Sequence, residues 1–141
     1  MVSLLNRMTL QELAEIRIKE AKVLLDNEMY DGSYYLCGYT IELALKACIA
    51  KNTREFDFPD KNVVNSSYTH KFIDLIKTAS LEQKFNDQKR KNQMFSNNWS
   101  IVKSWSEEKR YTRNPKSQAE GIYKAVSDKD NGVFEWIKQH W

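Results

Sequence analysis

The chain has 141 residues, of which 41% are hydrophobic and 12% aromatic, with a formal net charge of +3. That length suits one domain and removes well over half of the unfolded surface from water, so a single domain over residues 1–141 is expected. Four Gly and two Pro exclude a disordered composition. The nearest approach to a basic run, Lys84 to Lys91, is too dilute for a strong duplex binder.

Thr9-Leu10-Gln11-Glu12 has the form of a capping box and predicts the start of a first helix. Leu10, Leu13, Ala14, Ala21, Leu24 and Leu25 follow as an apolar stripe at helical spacing, with Arg17 on the same stripe. The stretch from Asn27 to Asp31 closes that helix. Asp31 and Ser33, on either side of Gly32, are cap candidates for a second helix running to about Lys51.

The second helix organises the rest. After Asp31, twenty residues carry only three charges, Glu42, Lys46 and Lys51. It is too short, and its tyrosines too polar, to span a bilayer, so it reads as a helix buried on most of its circumference. Cys37, Ile41, Ala44 and Cys48 form one line, and Tyr35, Tyr39, Glu42 and Lys46 another, on the same rod. The first line is plain core; the second is core with an ion pair set into it, Arg17 being a further candidate partner for Glu42. The two cysteines are eleven residues apart, about 16 Å along a helix, too far to bridge. Two unbridged thiols and the lack of an export signal predict a reducing cytoplasm.

Residues 52–67 contain Pro59 and show no sustained period, which predicts a long connection pinned by Phe56 and Phe58. Thr69 to Ala79 reads as a short helix with Phe72, Ile73, Leu75 and Ile76 inward, and Ser80-Leu81-Glu82-Gln83 as a second capping box. The fourth helix falters at Ser96-Asn97-Asn98 before Trp99, Ile101, Val102 and Trp105 resume the pattern. Asn114-Pro115 marks another helix start, Ser117-Gln118-Ala119-Glu120 is a third capping box, and a break near Asn131-Gly132 precedes Val133, Trp136, Ile137 and Trp141. No alternating strand pattern persists. The expected fold is all-α, an antiparallel up-and-down bundle of four to five helices.

The run Tyr34 to Ala47, YYLCGYTIELALKA, together with Tyr68-Thr69-His70, the segment Trp99 to Tyr111 and the closing Gly132 to Lys138, resembles the HEPN domain family in order and spacing. The resemblance covers nearly the whole chain. It implies a bundle that pairs into a homodimer through its long helices, often beside a small nucleotidyltransferase partner protein and in toxin-antitoxin or defence systems. It also implies, for many members, metal-independent ribonuclease activity from an Arg followed after four to six residues by a His at the dimer cleft. There the His moves a proton, the Arg holds the phosphate, and the RNA's own 2′-hydroxyl attacks. This sequence departs from that motif. The candidate arginines are Arg110 and Arg113, and RYTRNPKSQAEGIY contains no His; beyond four intervening residues after Arg113 stands Gln118, whose amide cannot shuttle a proton.

Arg110, Tyr111, Arg113 and Asn114 lie just before a helix whose first amides are unsatisfied, a place suited to the phosphate of nucleotide or RNA. The alternative is structural, with Arg110 paired to Glu107 or Glu108 to brace the bend. Glu42, Lys46 and His70 read first as a self-satisfied network and second as a supporting polar patch, with Gln118. His70 is expected to open its helix and lock the fold. No cofactor is expected, and two cysteines on one helix with distant histidines lack zinc spacing. The function expected is therefore a phosphate-binding dimeric module. The alternatives are a divergent ribonuclease using His70, or His140 from the other subunit, as base, and a pure interaction scaffold.

Overall fold

The computed structural model describes residues 6–53 and 68–141, apart from the side chains of Lys109 and Arg110. The expected connection, with Phe56, Phe58 and Pro59, lies outside the described residues. Among those described, seven α-helices and one 3-10 turn are present and there is no strand: α1 Arg7–Asp26, α2 Tyr30–Lys51, α3 Phe72–Thr78, α4 Glu82–Lys91, α5 Gln93–Val102, the 3-10 turn Glu107–Tyr111, α6 Lys116–Ser127 and α7 Val133–Lys138. The all-helical class agrees with the sequence reading; its bundle is cut into more and shorter pieces.

Helix α1 begins two residues earlier than Thr9, because Asn6 caps it by accepting the Thr9 N–H at 2.8 Å. It buries Leu10, Ala14, Ile18 and Ala21, so Ile18 belongs to the stripe, while Arg17 pairs with Glu20 on its own helix instead of reaching Glu42. It ends in a Schellman turn, with Met29 N–H on Leu24 O at 2.8 Å and Glu28 at a φ of 63°. That turn folds α2 back along α1. The pairing is tied at one end by Ser33 Oγ donating to Ala21 O at 2.8 Å and at the other by Arg7 and Cys48 reaching Trp141 O and Ile137 O.

Helix α2 is the centre of the bundle. The line Cys37, Ile41, Ala44 and Cys48 is buried throughout, and Tyr35 and Tyr39 on the other line are half-buried and stacked with ring centroids 6.0 Å apart. Burial pushes both thiols up to about 12 from their ordinary 9.0. Neither Asp31 nor Ser33 caps α2, whose N-cap is Met29 without a side-chain bond. Both side chains are spent on tertiary contacts instead.

The polar residues of the second half behave in the same way. Ser80 does not open α4; it closes α3 at a φ of 61°, with Leu81 N–H on Ile76 O at 3.0 Å, so the second capping box is a helix end. The break between α4 and α5 falls at Asn92, not at Ser96 to Asn98, because Asn92 caps α5 by accepting the Phe95 N–H at 3.0 Å. Asn92 and Asn98 also bond Asn131, each at 2.9 Å, which explains an asparagine at position 98 in the middle of an apolar helix. Helix α6 starts at Lys116 with Pro115 as its N-cap, so Ser117 lies inside the helix. Ile73, expected inward, is exposed, and so is Ile101 of the resumed apolar pattern.

Aromatic rings fill the space between these helices and the face of α2. Phe85 packs edge-on to Trp99 at 4.7 Å, Phe95 lies 5.5 Å from Trp136, and Phe72 stacks on Trp105 at 5.3 Å. Trp105 lies flat against Gly38, where a Cβ would stand 2.1 Å from the indole. No other residue type fits there without moving the ring. Among the described residues no helix is long and apolar enough to cross a membrane.

Candidate functional site

Three polar stations lie along α2, and the chain brings a different segment to each. The middle one is built on Glu42, 3% exposed in an otherwise apolar stretch. A carboxylate so placed needs several donors. Lys46 supplies one at 3.2 Å from the next turn, and His70 Nδ1 lies 3.1 Å from both Glu42 oxygens. The other ring nitrogen, Nε2, lies 3.2 Å from a Glu107 carboxylate oxygen. His70 precedes α3 by two residues instead of sitting in its first turn, and it ties α2 to the 3-10 turn. A cleft of about 550 Å³ opens beside it between α3 and α5, with Trp105 at its base. The Trp105 indole N–H is buried there without a hydrogen-bond partner.

The second station is the N-terminal end of α2. Asp31 lies in its first turn, and both carboxylate oxygens reach across to the segment that leads into α6. Oδ1 accepts the Asn114 backbone N–H in a short bond, and Oδ2 lies 3.1 Å from Arg113 Nε. The Arg113 side chain is otherwise 96% exposed, so the Nη edge of its guanidinium faces water. Asn114 is buried, and its side-chain Nδ2 has no hydrogen-bond partner. These groups line a cleft of about 640 Å³ whose other walls include Leu24, Met29 and Tyr30. Helix α6 begins at this cleft with no side-chain cap on its first amides, which leaves N–H donors directed outward.

The third station is the C-terminal end of α2. Lys51 Nζ reaches His140 O at 3.5 Å, and the His140 ring packs edge-on to Trp136 at 4.7 Å. Burial, reinforced by Lys84 and Lys51, holds this imidazole below its ordinary value.

The residues singled out in the sequence thus divide into two groups. Arg113, Asn114 and Gln118, the last exposed in the first turn of α6, gather at the arginine corner. Tyr111 ends the 3-10 turn with its side chain 77% exposed. Arg110 lies in that turn, and its side chain and pairing lie outside the described residues. Glu42, Lys46 and His70 form the middle station, eleven residues along α2 from Asp31, or about 17 Å at the helical rise. His140 is at the far end, about 30 Å from the corner on the same measure. Within one chain, then, neither histidine meets Arg113.

Asp31 and Glu107 were the partners least visible in the sequence. Asp31 and Arg113 are 82 positions apart, and no local spacing connects them. A signal did exist for the Trp105 contact, since a lone Gly inside the most apolar helix marks a close approach.

The family model for the HEPN domain matches residues 9–128. The chain belongs to the HEPN domain family, a helical module tied to nucleotides and RNA. No curated protein and no solved structure gives a match.

Proposed function

We propose that this HEPN module binds the phosphate of a nucleotide or RNA at the arginine corner, as a homodimer and as an accessory of a toxin-antitoxin or defence system, without nuclease competence. The observation that carries the reading is Arg113: Asp31 holds it through Nε while its Nη edge stays in water, beside an uncapped helix start and a spare Asn114 amide donor. A guanidinium with its outer edge free matches two phosphate oxygens at once. Arg110 and Tyr111, a few positions upstream in sequence, are the further candidates for the same phosphate, with Gln118 as an additional amide.

Proton chemistry has less support. Both ring nitrogens of His70 face carboxylates, so neither is spare for a substrate hydroxyl. Dimerisation has its own support in α1, where Met8, Ile16 and Val23 are 68%, 45% and 60% exposed within one arc of the helix. Pairing there suits a second copy of the chain, and Ile16→Glu with Val23→Glu is expected to shift the sedimenting species to a monomer. A small nucleotidyltransferase is the partner that the family resemblance favours.

The test is anisotropy with a 5′-labelled single-stranded RNA and with a labelled adenine nucleotide, at two salt concentrations. Arg113→Ala, and Arg110→Ala with it, are expected to weaken binding about tenfold or more and to flatten the salt dependence. Unchanged binding in the double variant removes the phosphate from this corner. RNA cleaved in the presence of EDTA by the wild type, but not by His70→Ala, would instead establish the divergent ribonuclease.

A further inference from the structure

We propose that Asp31 is a built-in competitor for the anion at the arginine corner, an intramolecular carboxylate whose charge, and whose hold on the Asn114 N–H and Arg113 Nε, oppose an incoming phosphate. The inference rests on the phosphate reading above and adds its regulation. Both Asp31 oxygens are engaged across the fold, Oδ1 by the Asn114 N–H and Oδ2 by Arg113 Nε. A main-chain N–H at a helix start beside a guanidinium is the donor pair that binds phosphate elsewhere. Here a carboxylate of the same chain already holds it.

Asp31 is also poised to yield. Its side chain is 43% exposed and that of Arg113 is 96% exposed, so the contact between them is screened by water and weak. A second observation points to an outside ligand: Asn114 is 8% exposed, lines the cleft, and has an Nδ2 donor that Asp31 does not use. The cleft wall therefore carries two donors that Asp31 occupies and a third, buried, that it leaves unpaired. A phosphate monoester, with three terminal oxygens and more charge than a carboxylate, suits this set of donors.

Asp31→Asn tests this, because the amide keeps an oxygen acceptor for the Asn114 N–H while it removes the charge and the acceptor that faces Arg113 Nε. Calorimetric titration with inorganic phosphate and with 5′-AMP is expected to show about tenfold tighter binding to the variant, the size of a relieved like-charge contact near a surface. Equal or weaker binding by the variant, with wild-type binding intact and still lost in Arg113→Ala, overturns the competitor and leaves the phosphate site standing, with Asp31 as a positioning residue for Arg113. No binding by either protein overturns both. Should the variant fold poorly, the wild type carries the test through the Asn114 amide resonance. That resonance must move with the binding midpoint as phosphate is added, and an unmoved resonance in a saturated protein ends the proposal.

Discussion

The middle of α2 and its N-terminal end both use a carboxylate to join the central helix to the segment around residues 105–114, yet they do opposite things with it. At Glu42 the carboxylate is 3% exposed and receives Lys46 and His70, and His70 is held in turn by Glu107. That network closes on itself and leaves no ring nitrogen over. At Asp31 the carboxylate is half in water, its cation almost wholly so, and the neighbouring Asn114 amide lacks a partner. Burial makes the Glu42–Lys46 pair of the first network necessary to the fold, since losing either member strands the other largely away from water. Exposure makes the second nearly dispensable for stability and accessible to a ligand. The polar cluster that holds the bundle and the one that faces a substrate are thus different clusters on one helix.

The largest effect is expected where the middle station rests on its floor. Gly38→Ala places a methyl where the Trp105 indole now lies, at 2.1 Å, and must lift the ring away from Phe72 and Tyr35. A loss of about 3 kcal/mol in urea unfolding is expected, at the upper end for overpacking. A change below about 0.5 kcal/mol would mean that Trp105 has another resting place.

A rise in pH probes the same helix without mutation. Cys37 and Cys48 flank Glu42, and burial lifts both from 9.0 to about 12. The unfolded chain therefore releases these protons from about pH 9 while the folded chain keeps them, so the thiols' contribution is complete below pH 9 and is lost between 9 and 12. About 3 kcal/mol should be gone by pH 10. Replacement of both cysteines by Ala should flatten that slope. A slope unchanged in the double variant would mean that other groups cause it.

Glu42→Gln comes next, with a loss of about 2 kcal/mol, because Lys46 remains mostly buried without its counter-charge. His70→Ala should cost about 1 kcal/mol or less, since that ring is 45% exposed. A double-mutant cycle between the two measures the latch directly. Additivity would show that the ring and the carboxylate do not stabilise one another.

The sequence carried the rod of α2 and the all-helical class, because a run of twenty-two residues that is apolar on most of its circumference and carries few charges is a strong local signal. It misled where a polar side chain had two uses. Ser33 and Asp31 have the chemistry of caps and make tertiary bonds, Ser80 ends a helix that it was expected to leave, and Asn98 reaches the Asn131 carbonyl instead of breaking its own helix. Caps and long-range partners draw on the same small set of residues, and only the fold decides between them. For the site, Arg113 and Asn114 were legible from the helix start after Pro115. Their separation from His70 was not, because it depends on where along α2 each segment docks.

The smallest effect on stability separates the two stations most sharply. Arg113→Ala removes a side chain that is 96% exposed and whose described contact is one exposed carboxylate. Its unfolding free energy should stay within about 0.5 kcal/mol of the wild type. Thiol labelling of Cys37 and Cys48 under native conditions should be as slow as before, whereas Glu42→Gln should accelerate it, since labelling of a buried thiol follows the opening of α2. RNA affinity should show the reverse order, falling in Arg113→Ala and holding in Glu42→Gln. If Arg113→Ala instead destabilises the chain as much as Glu42→Gln does, the corner is a second structural brace, and the water-facing edge of its guanidinium has no ligand to explain it.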